Sequence, residues 1–156
     1  MRMRNISIIL FLCLLLSSCQ TGPFFEKNSI IPGQEWEEVF QPQFQVNIQD
    51  TTALYDVFLN IRHSPYYSYS NLFLSITETA VVDSVETFGP LIEIQLADED
   101  GRWTGKSAGN LYELTKLIEE NRQFPDTGLY IFQIRHQMQE GALVGINDIG
   151  LKVIKK

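Results

Sequence analysis

Residues 125–136 read Pro-Asp-Thr-Gly-Leu-Tyr-Ile-Phe-Gln-Ile-Arg-His and carry the clearest structural pattern in the chain. Tyr130, Phe132 and Ile134 fall on one side, and other side chains alternate with them. Because successive side chains of a β-strand point to opposite faces of a sheet, this alternation predicts a strand with one face in a core. The turn residues Pro-Asp-Thr-Gly predict that the strand begins near Gly128.

The spacing Asp126-x-Gly128-x-Tyr130 resembles the tyrosine corner of Greek-key sandwiches. In that motif a tyrosine near the start of a strand hydrogen-bonds a backbone group a few residues upstream. Gly128 would supply a turn conformation that other residues resist. We therefore predict an architectural role for Asp126, Gly128 and Tyr130 rather than a catalytic one.

Similar alternation recurs along the chain and predicts further strands. They lie at residues 36–41, 44–48, 54–62, 71–79, 81–88, 91–97 and 149–154. Residues 110–121 are ambiguous, because Leu111, Leu114, Leu117 and Ile118 also fit one face of a helix. We favour a strand there, since about eight short strands separated by turns form a sandwich. The predicted fold is an all-β, antiparallel β-sandwich, immunoglobulin-like or jelly-roll-like, over residues 34–156.

The first nineteen residues have the pattern of a bacterial lipoprotein signal. Two arginines precede an uncharged apolar run over residues 6–16, and Ser17, Ser18 and Cys19 follow. A basic start, a short apolar run and small residues at the cleavage site are typical of a secretory signal. The run is also shorter than the roughly 20 residues that span a bilayer. Residues 16–19 resemble the lipobox, which implies a signal peptide of residues 1–18 and acyl chains on Cys19.

Residues 19–33 show no period and contain both Pro and Gly, so we predict a lipid-anchored tether there. Two or more acyl chains hold a protein stably at a membrane. Gln20 stands where an Asp often retains lipoproteins at the inner membrane. Residues 20–25 hold no acidic cluster of the kind that sends related lipoproteins to the cell surface. We therefore predict the outer membrane, with the protein facing the periplasm.

The composition of the mature chain, residues 19–156, limits the classes of function. Its length is that of one domain. With Cys13 in the signal peptide and Cys19 lipidated, no thiol is left for a disulfide, a nucleophile or a Cys-rich zinc site. Ten Lys and Arg against nineteen Asp and Glu give a formal charge of −9. An acidic domain does not seek phosphates, so we predict no nucleic-acid partner.

Side chains that carry chemistry show no catalytic or metal-binding spacing. His63 and His136 are the only histidines in the sequence, and no Gly-x-Ser-x-Gly, His-x-x-x-His or phosphate-binding glycine loop occurs. Acidic residues 98–100 fit a solvated turn better than a Ca²⁺ loop, which needs six to eight oxygen ligands. Paired carboxylates for glycoside hydrolysis stay open, because their separation is a structural quantity. We predict no catalytic residue, no metal, no cofactor and no enzymatic activity.

The segment His63-Ser-Pro-Tyr-Tyr-Ser-Tyr-Ser70 is the strongest candidate for a binding surface. Tyr66, Tyr67 and Tyr69 would offer rigid, amphipathic contact area for recognition of a protein or a sugar. The alternative is that these rings pack over the open end of the sandwich. Both interpretations stay open at this point.

Several phrases spread over nearly all of the mature chain carry a family resemblance. They are residues 69–74, 96–98, 100–105, 124–132, 137–138 and 148–151. Together with the lipobox, their order and spacing resemble the GldH-type gliding-motility lipoprotein family. One departure is Gln139, because the position after Met138 is usually basic in the family. That difference weakens any role for a charge at this position.

The resemblance implies a cell-envelope lipoprotein needed for gliding, a process linked to a protein-secretion machine of the outer membrane. It implies no known chemistry, and it suggests other envelope proteins of that machinery as partners. Composition and periodicity indicate only an acidic β-domain, so the predicted role in motility depends on the resemblance alone. The alternatives are a carbohydrate-binding envelope lipoprotein and, with less support, a hydrolase.

Overall fold

The computed structural model describes residues 22–156. The predicted signal peptide and Cys19 lie outside these residues. Within them the chain forms twelve strands and one short 3₁₀ turn, Pro32–Gln34. In chain order the strands are β1 Phe25–Ile30, β2 Glu35–Glu37, β3 Gln43–Ile48, β4 Tyr55–His63, β5 Asn71–Ala80, β6 Val85–Phe88, β7 Ile92–Gln95, β8 Lys106–Ala108, β9 Leu111–Arg122, β10 Gly128–His136, β11 Ala142–Val144 and β12 Ile146–Lys155.

The strands form two antiparallel five-stranded sheets and a small third sheet. The first sheet has the order β1-β12-β4-β9-β8. The second has the order β3-β10-β5-β6, with β7 also paired to β5, and β2 pairs β11 separately. If β6 and β7 count as one interrupted strand, each sheet has four main strands. Apart from the β5–β6 hairpin, each connection between consecutive main strands crosses from one sheet to the other, as in a jelly roll. The predicted antiparallel sandwich is confirmed, and its connectivity is that of the jelly-roll alternative.

The core lies between the two sheets and follows from the alternation seen in the sequence. In β4, Tyr55, Val57, Leu59 and Ile61 point inward and are fully buried. On the opposite sheet the alternate residues of β3 and β10 do the same. Each large apolar side chain buried here contributes about 1.5–3 kcal/mol relative to exposure. Burial of one face of each strand therefore fixes both the register and the packing of the sheets.

The sandwich has two ends that carry different loops. At the N-terminal end, Tyr55 pairs with both Arg122 and Lys155, and Gly128 pairs with Ile48. The N-terminal end therefore comprises residues 22–24, 49–54, 81–84, 123–127 and 156. The opposite, distal end comprises residues 31–42, 64–70, 96–110 and 137–145. Loops within each group are neighbours in space although they are far apart in sequence.

Three predicted boundaries differ from the structure. Residues 19–33 were expected to form a tether, yet Phe25–Ile30 form β1 along the edge of β12. Of the strand expected at 36–41, only residues 36 and 37 belong to a strand, β2 (Glu35–Glu37), because the chain then turns. Residues 81–84 form a turn, so the strand expected at 81–88 is limited to Val85–Phe88. The tether expected to span 19–33 therefore ends before residue 25.

The ambiguous segment at 110–121 is a strand, β9. Its pairing with β4 shifts register on either side of Val57, so β9 carries extra residues there. Each extra residue moves the following side chains to the other face of a sheet. The pairing is regular from Tyr112 to Leu117, so Leu111 and Leu114, three residues apart, lie on opposite faces of the sheet. The helix-like spacing therefore comes from apolar residues on both faces of an extended strand.

Tyr130 makes the contact expected of a tyrosine corner. Its hydroxyl donates a hydrogen bond to the Asp126 carbonyl at 2.9 Å, and the Asp126 N–H donates to the same hydroxyl at 3.3 Å. The ring is only 2% exposed. Gly128, between the two, has φ 135°, a region that favours glycine. The loop entering β10 is thus tied to the core by one side chain.

We expect Tyr130→Phe to lower the free energy of unfolding by about 1–2 kcal/mol, because it leaves the Asp126 carbonyl without its donor. Urea denaturation of the purified domain measures this change. Tyr66→Phe is the matched control and should have no effect, since Tyr66 is 81% exposed. Equal unfolding midpoints for the Tyr130 variant and the wild type would rule out the corner as a stabilising element.

Candidate functional site

The three tyrosines proposed as a binding surface lie in different environments at the distal end. Tyr67 is 3% exposed and belongs to the hydrophobic core, whereas Tyr66 is 81% exposed. The Tyr67 hydroxyl donates to the Asn71 carbonyl at 3.0 Å, and burial raises its pKa. Tyr69 is half-buried and its hydroxyl donates to Glu140. The sequence-based grouping is therefore wrong for Tyr67, which packs rather than faces a partner.

Gly145 fixes the position of this loop. Its φ is 97°, and a Cβ atom there would come within 2.8 Å of the Tyr67 backbone nitrogen. The Ser64 N–H also donates to the Gly145 carbonyl at 2.8 Å. Gly145 thus brings the β11–β12 connection against the tyrosine loop. No sequence pattern around Gly145 indicates this contact, because its partner lies about eighty residues away.

A cleft of about 390 Å³ opens beside Tyr69. Its wall includes Phe73, Leu91 and Met138, and Leu91 is 61% exposed. The Met138 sulfur accepts a hydrogen bond from the Phe73 N–H at 3.4 Å. Methionine and aromatic side chains adapt well to irregular partner surfaces. The cleft beside Tyr69 is accordingly suited to an apolar side chain from another protein.

The outward face of the second sheet carries a row of amide and hydroxyl side chains. We call this set the amide face; it comprises Gln41, Gln43, Ser75, Thr77, Gln133 and Gln137. Gln43 donates to Gln133 at 3.1 Å, and Gln133 donates in turn to Gln41. Phe88 stands at its margin and is 76% exposed. The arrangement offers many neutral donors and acceptors beside one aromatic ring.

A third cleft, of about 380 Å³, lies on the flank between the two sheets. Arg122 crosses it and pairs with Glu78 at 2.6 Å and with Glu119 at 2.8 Å. Burial raises the pKa of Glu78, and the Arg122 guanidinium opposes that shift. The same guanidinium lies 4.2 Å above the Phe124 ring. Arg122 thus forms ion pairs with both carboxylates at this cleft, those of Glu78 and Glu119.

The two histidines lie at the distal end and are both buried. The His63 Nδ1 atom is 3.0 Å from the Ser64 carbonyl, and its ring packs 4.5 Å from that of Trp103. The His136 ring lies 5.4 Å from that of Trp36. Burial lowers the pKa of both imidazoles, so both are neutral at pH 7. Among residues 22–156, no group of three or more potential ligands is placed to hold a metal ion.

Comparison with known proteins assigns the chain to a family. The model of the GldH lipoprotein family matches residues 24–153, which cover nearly the whole sandwich. The chain belongs to the GldH lipoprotein family. The resemblance read from the sequence is therefore confirmed.

Two curated GldH proteins show the extent of the similarity. The chain is 30% identical to a protein named gliding motility lipoprotein GldH homolog from Christiangramia forsetii, over 97% of this chain and 95% of that protein. It is 28% identical to the gliding motility lipoprotein GldH of Flavobacterium johnsoniae, over 100% of this chain and 99% of that protein. In the part of the chain that the structure describes, no helix is long and apolar enough to span a bilayer.

We expect His136→Leu to reduce the loss of stability in acid. Because burial lowers the imidazole pKa below 6.5, only the unfolded chain takes up a proton as the pH falls below 6.5, and folding is disfavoured. Each such histidine costs up to about 1.4 kcal/mol per pH unit in that window. Neither ring nitrogen of His136 makes a hydrogen bond of good geometry among the described residues, and the contact with the Trp36 backbone is a minor influence on the imidazole pKa beside burial, so leucine removes little polar interaction there.

Urea denaturation at pH 7 and pH 5 measures the difference for the His136→Leu variant. Other titrating groups are common to both proteins and cancel in the comparison with wild type. Gln139→Leu, an exposed and non-titrating replacement nearby, is the control. If the His136 variant and the wild type lose equal stability between pH 7 and pH 5, the His136 imidazole does not cause the loss of stability in acid.

Proposed function

We propose that the protein is a lipoprotein anchored through Cys19 to the outer membrane, facing the periplasm. In this proposal it catalyses no reaction and acts by binding another envelope protein. Its role is that of an accessory component of gliding motility and of the linked outer-membrane secretion machinery. Membership of the GldH lipoprotein family supports the motility role, as do the two relatives whose names carry it.

The observation that carries the binding role is a group of exposed apolar side chains at and beside the distal end, together with the cleft beside Tyr69. Val39 is 83% exposed, Tyr66 is 81% exposed, and Leu91 and Val144 are each 61% exposed. Tyrosine is among the few residue types that carry most of the binding energy in protein interfaces, and the contacts around such residues exclude water. The cleft beside Tyr69 adds a concave surface with Met138 in its wall. Together these features suit contact with a protein.

The charge of the mature chain suggests the kind of partner. Its formal charge is −9, which favours a partner with a basic patch. Complementary charge mainly speeds encounter, and added salt screens it. Complex formation should therefore slow as the salt concentration rises, while the apolar contacts determine how long the complex lasts.

We expect the double variant Tyr66→Ser and Leu91→Ser to lose its envelope partner. Recovery of that partner after crosslinking in cells and affinity purification should fall at least about tenfold, which corresponds to about 1.4 kcal/mol of binding. The matched control, Leu117→Ser, instead removes an exposed apolar group on β9, away from both ends of the sandwich. If the folded distal variant recovers the same proteins as the control, the distal end is not the contact.

The amide face supports a second candidate function, binding of a neutral carbohydrate. Amide and hydroxyl groups hydrogen-bond sugar hydroxyls, and the exposed Phe88 ring offers an apolar face to a sugar ring. The cleft over this face measures about 330 Å³. It differs from the distal surface in chemistry, since it is dominated by uncharged polar groups.

Titration with neutral oligosaccharides distinguishes the two functions. If the amide face binds sugar, Phe88→Ala should weaken binding at least about tenfold, the order of one lost interface anchor. Val85→Ala, a neighbouring exposed residue on β6, should leave it unchanged. Absence of binding by the wild-type protein at millimolar sugar would exclude this second function and leave protein binding.

A further inference from the structure

The chain enters the sandwich at a fixed point. The Phe24 ring packs on the Tyr55 ring, with centroids 5.5 Å apart. Strand β1 then begins at Phe25, which pairs with Val153 near the end of β12. The chain is therefore attached to the sandwich from Phe24 onward, and it enters the domain at the N-terminal end.

The link between the proposed lipid and this point is very short. Four residues lie between Cys19 and Phe24, which makes five steps from one Cα to the next, and an extended chain covers at most about 3.3–3.6 Å per step. The acyl chains of Cys19 would hold its backbone at the bilayer surface. The N-terminal end of the sandwich therefore lies within about 17 Å of the lipid, by the same chain dimensions.

Several of the exposed side chains at and beside the N-terminal end are apolar. Residues 81–84 form the turn between β5 and β6. Val81, Val82 and Val85 in this hairpin are 45%, 66% and 51% exposed. Leu54 in the neighbouring loop is 40% exposed and Phe24 is 38% exposed. We propose that this end of the sandwich rests on the bilayer surface, with the 81–85 hairpin immersed among the lipid head groups.

This proposal rests on lipidation of Cys19, as set out for the proposed function. A few valines do not hold a free protein at a membrane, because membrane affinity scales with buried apolar area. The tether changes this, since it converts docking into an intramolecular event at high effective concentration. The anchor thus brings the domain to the membrane, and the hairpin fixes its orientation.

The charged groups at the N-terminal end indicate that membrane contact depends on apolar side chains rather than on attraction to charged lipids. Lys155 pairs with Asp50 at 2.8 Å, and Lys156 pairs with Asp56 at 2.9 Å. Asp83 in the hairpin turn is exposed and would repel anionic lipids. Docking should therefore occur on zwitterionic lipid and should not weaken as the salt concentration rises.

The orientation leaves the distal end exposed to the periplasm in the proposed location. Strand β4 runs from one end to the other with nine residues, about 27 Å at roughly 3.4 Å per residue. Tyr66 and the cleft beside Tyr69 would stand off the membrane by at least that distance. The exposed apolar groups at the two ends would then meet different partners, lipid at one end and protein at the other.

The experiment places one environment-sensitive fluorophore on the full lipidated protein. Cys19 is the only cysteine of the mature chain, and its sulfur would carry lipid, so Val82→Cys provides a single free thiol. The protein is incorporated into phosphatidylethanolamine and phosphatidylcholine vesicles that contain a lipid quencher at head-group depth. Val144→Cys at the distal end is the matched control, since its side chain is 61% exposed. Leu54→Cys is a second reporter at the N-terminal end.

At position 82 we expect a blue shift and quenching of roughly half of the intensity, because interfacial segments lie about 5–10 Å deep. Position 54 should follow position 82, and position 144 should show neither effect. High salt should not reverse the result. Equal emission and quenching at positions 82, 54 and 144 would overturn the proposed orientation.

Mass spectrometry of the same samples separates the two claims. Acyl chains on Cys19 without quenching at position 82 would refute the orientation alone. A mature chain that carries no lipid, and that matches Cys19→Ala in palmitate labelling, would refute both the anchor and the orientation that depends on it.

Discussion

The packing of Tyr55, Phe124 and Tyr130 is the interaction on which the rest of the structure depends. Tyr55 comes from the first sheet and Tyr130 from the second, and Phe124 lies between them at centroid distances of 5.3 and 4.7 Å. This cluster closes the core at one end and receives Phe24, the residue through which the chain enters the domain. The same contacts therefore join the two sheets and determine the end at which the chain enters the domain.

Most of the fold could be predicted from the sequence, because the central strands bury one face and so alternate apolar with other residues. Strand β1 could not be predicted, since as an edge strand it exposes most of its side chains and lacks that alternation. Strand β9 was ambiguous because its apolar residues occupy both faces: Leu111 and Leu114 are three residues apart in a stretch that pairs regularly with β4. Of the short strands, β2 lies at the start of the strand predicted at 36–41, whereas β8 and β11 were not predicted, because they depend on contacts made by the distal loops.

The candidate site was less predictable for a related reason. A loop has no period, so the sequence does not distinguish the buried Tyr67 from the exposed Tyr66 one residue earlier. The amide face arises only when the strands pair, because Gln133 lies opposite Gln43 on one side and Thr77 on the other. By contrast, family membership was readable from phrases spread along the whole chain. Short motifs can be recognised in the sequence, whereas a surface built from several strands can be recognised only in the folded structure.

The central claim is that the sandwich has a membrane end and a protein-binding end. Site-specific photocrosslinking in living cells tests it most directly, with a photoreactive amino acid placed at position 66 or at position 82. The account predicts protein adducts from position 66 and lipid adducts from position 82. Protein adducts from position 82, with none from position 66, would contradict it.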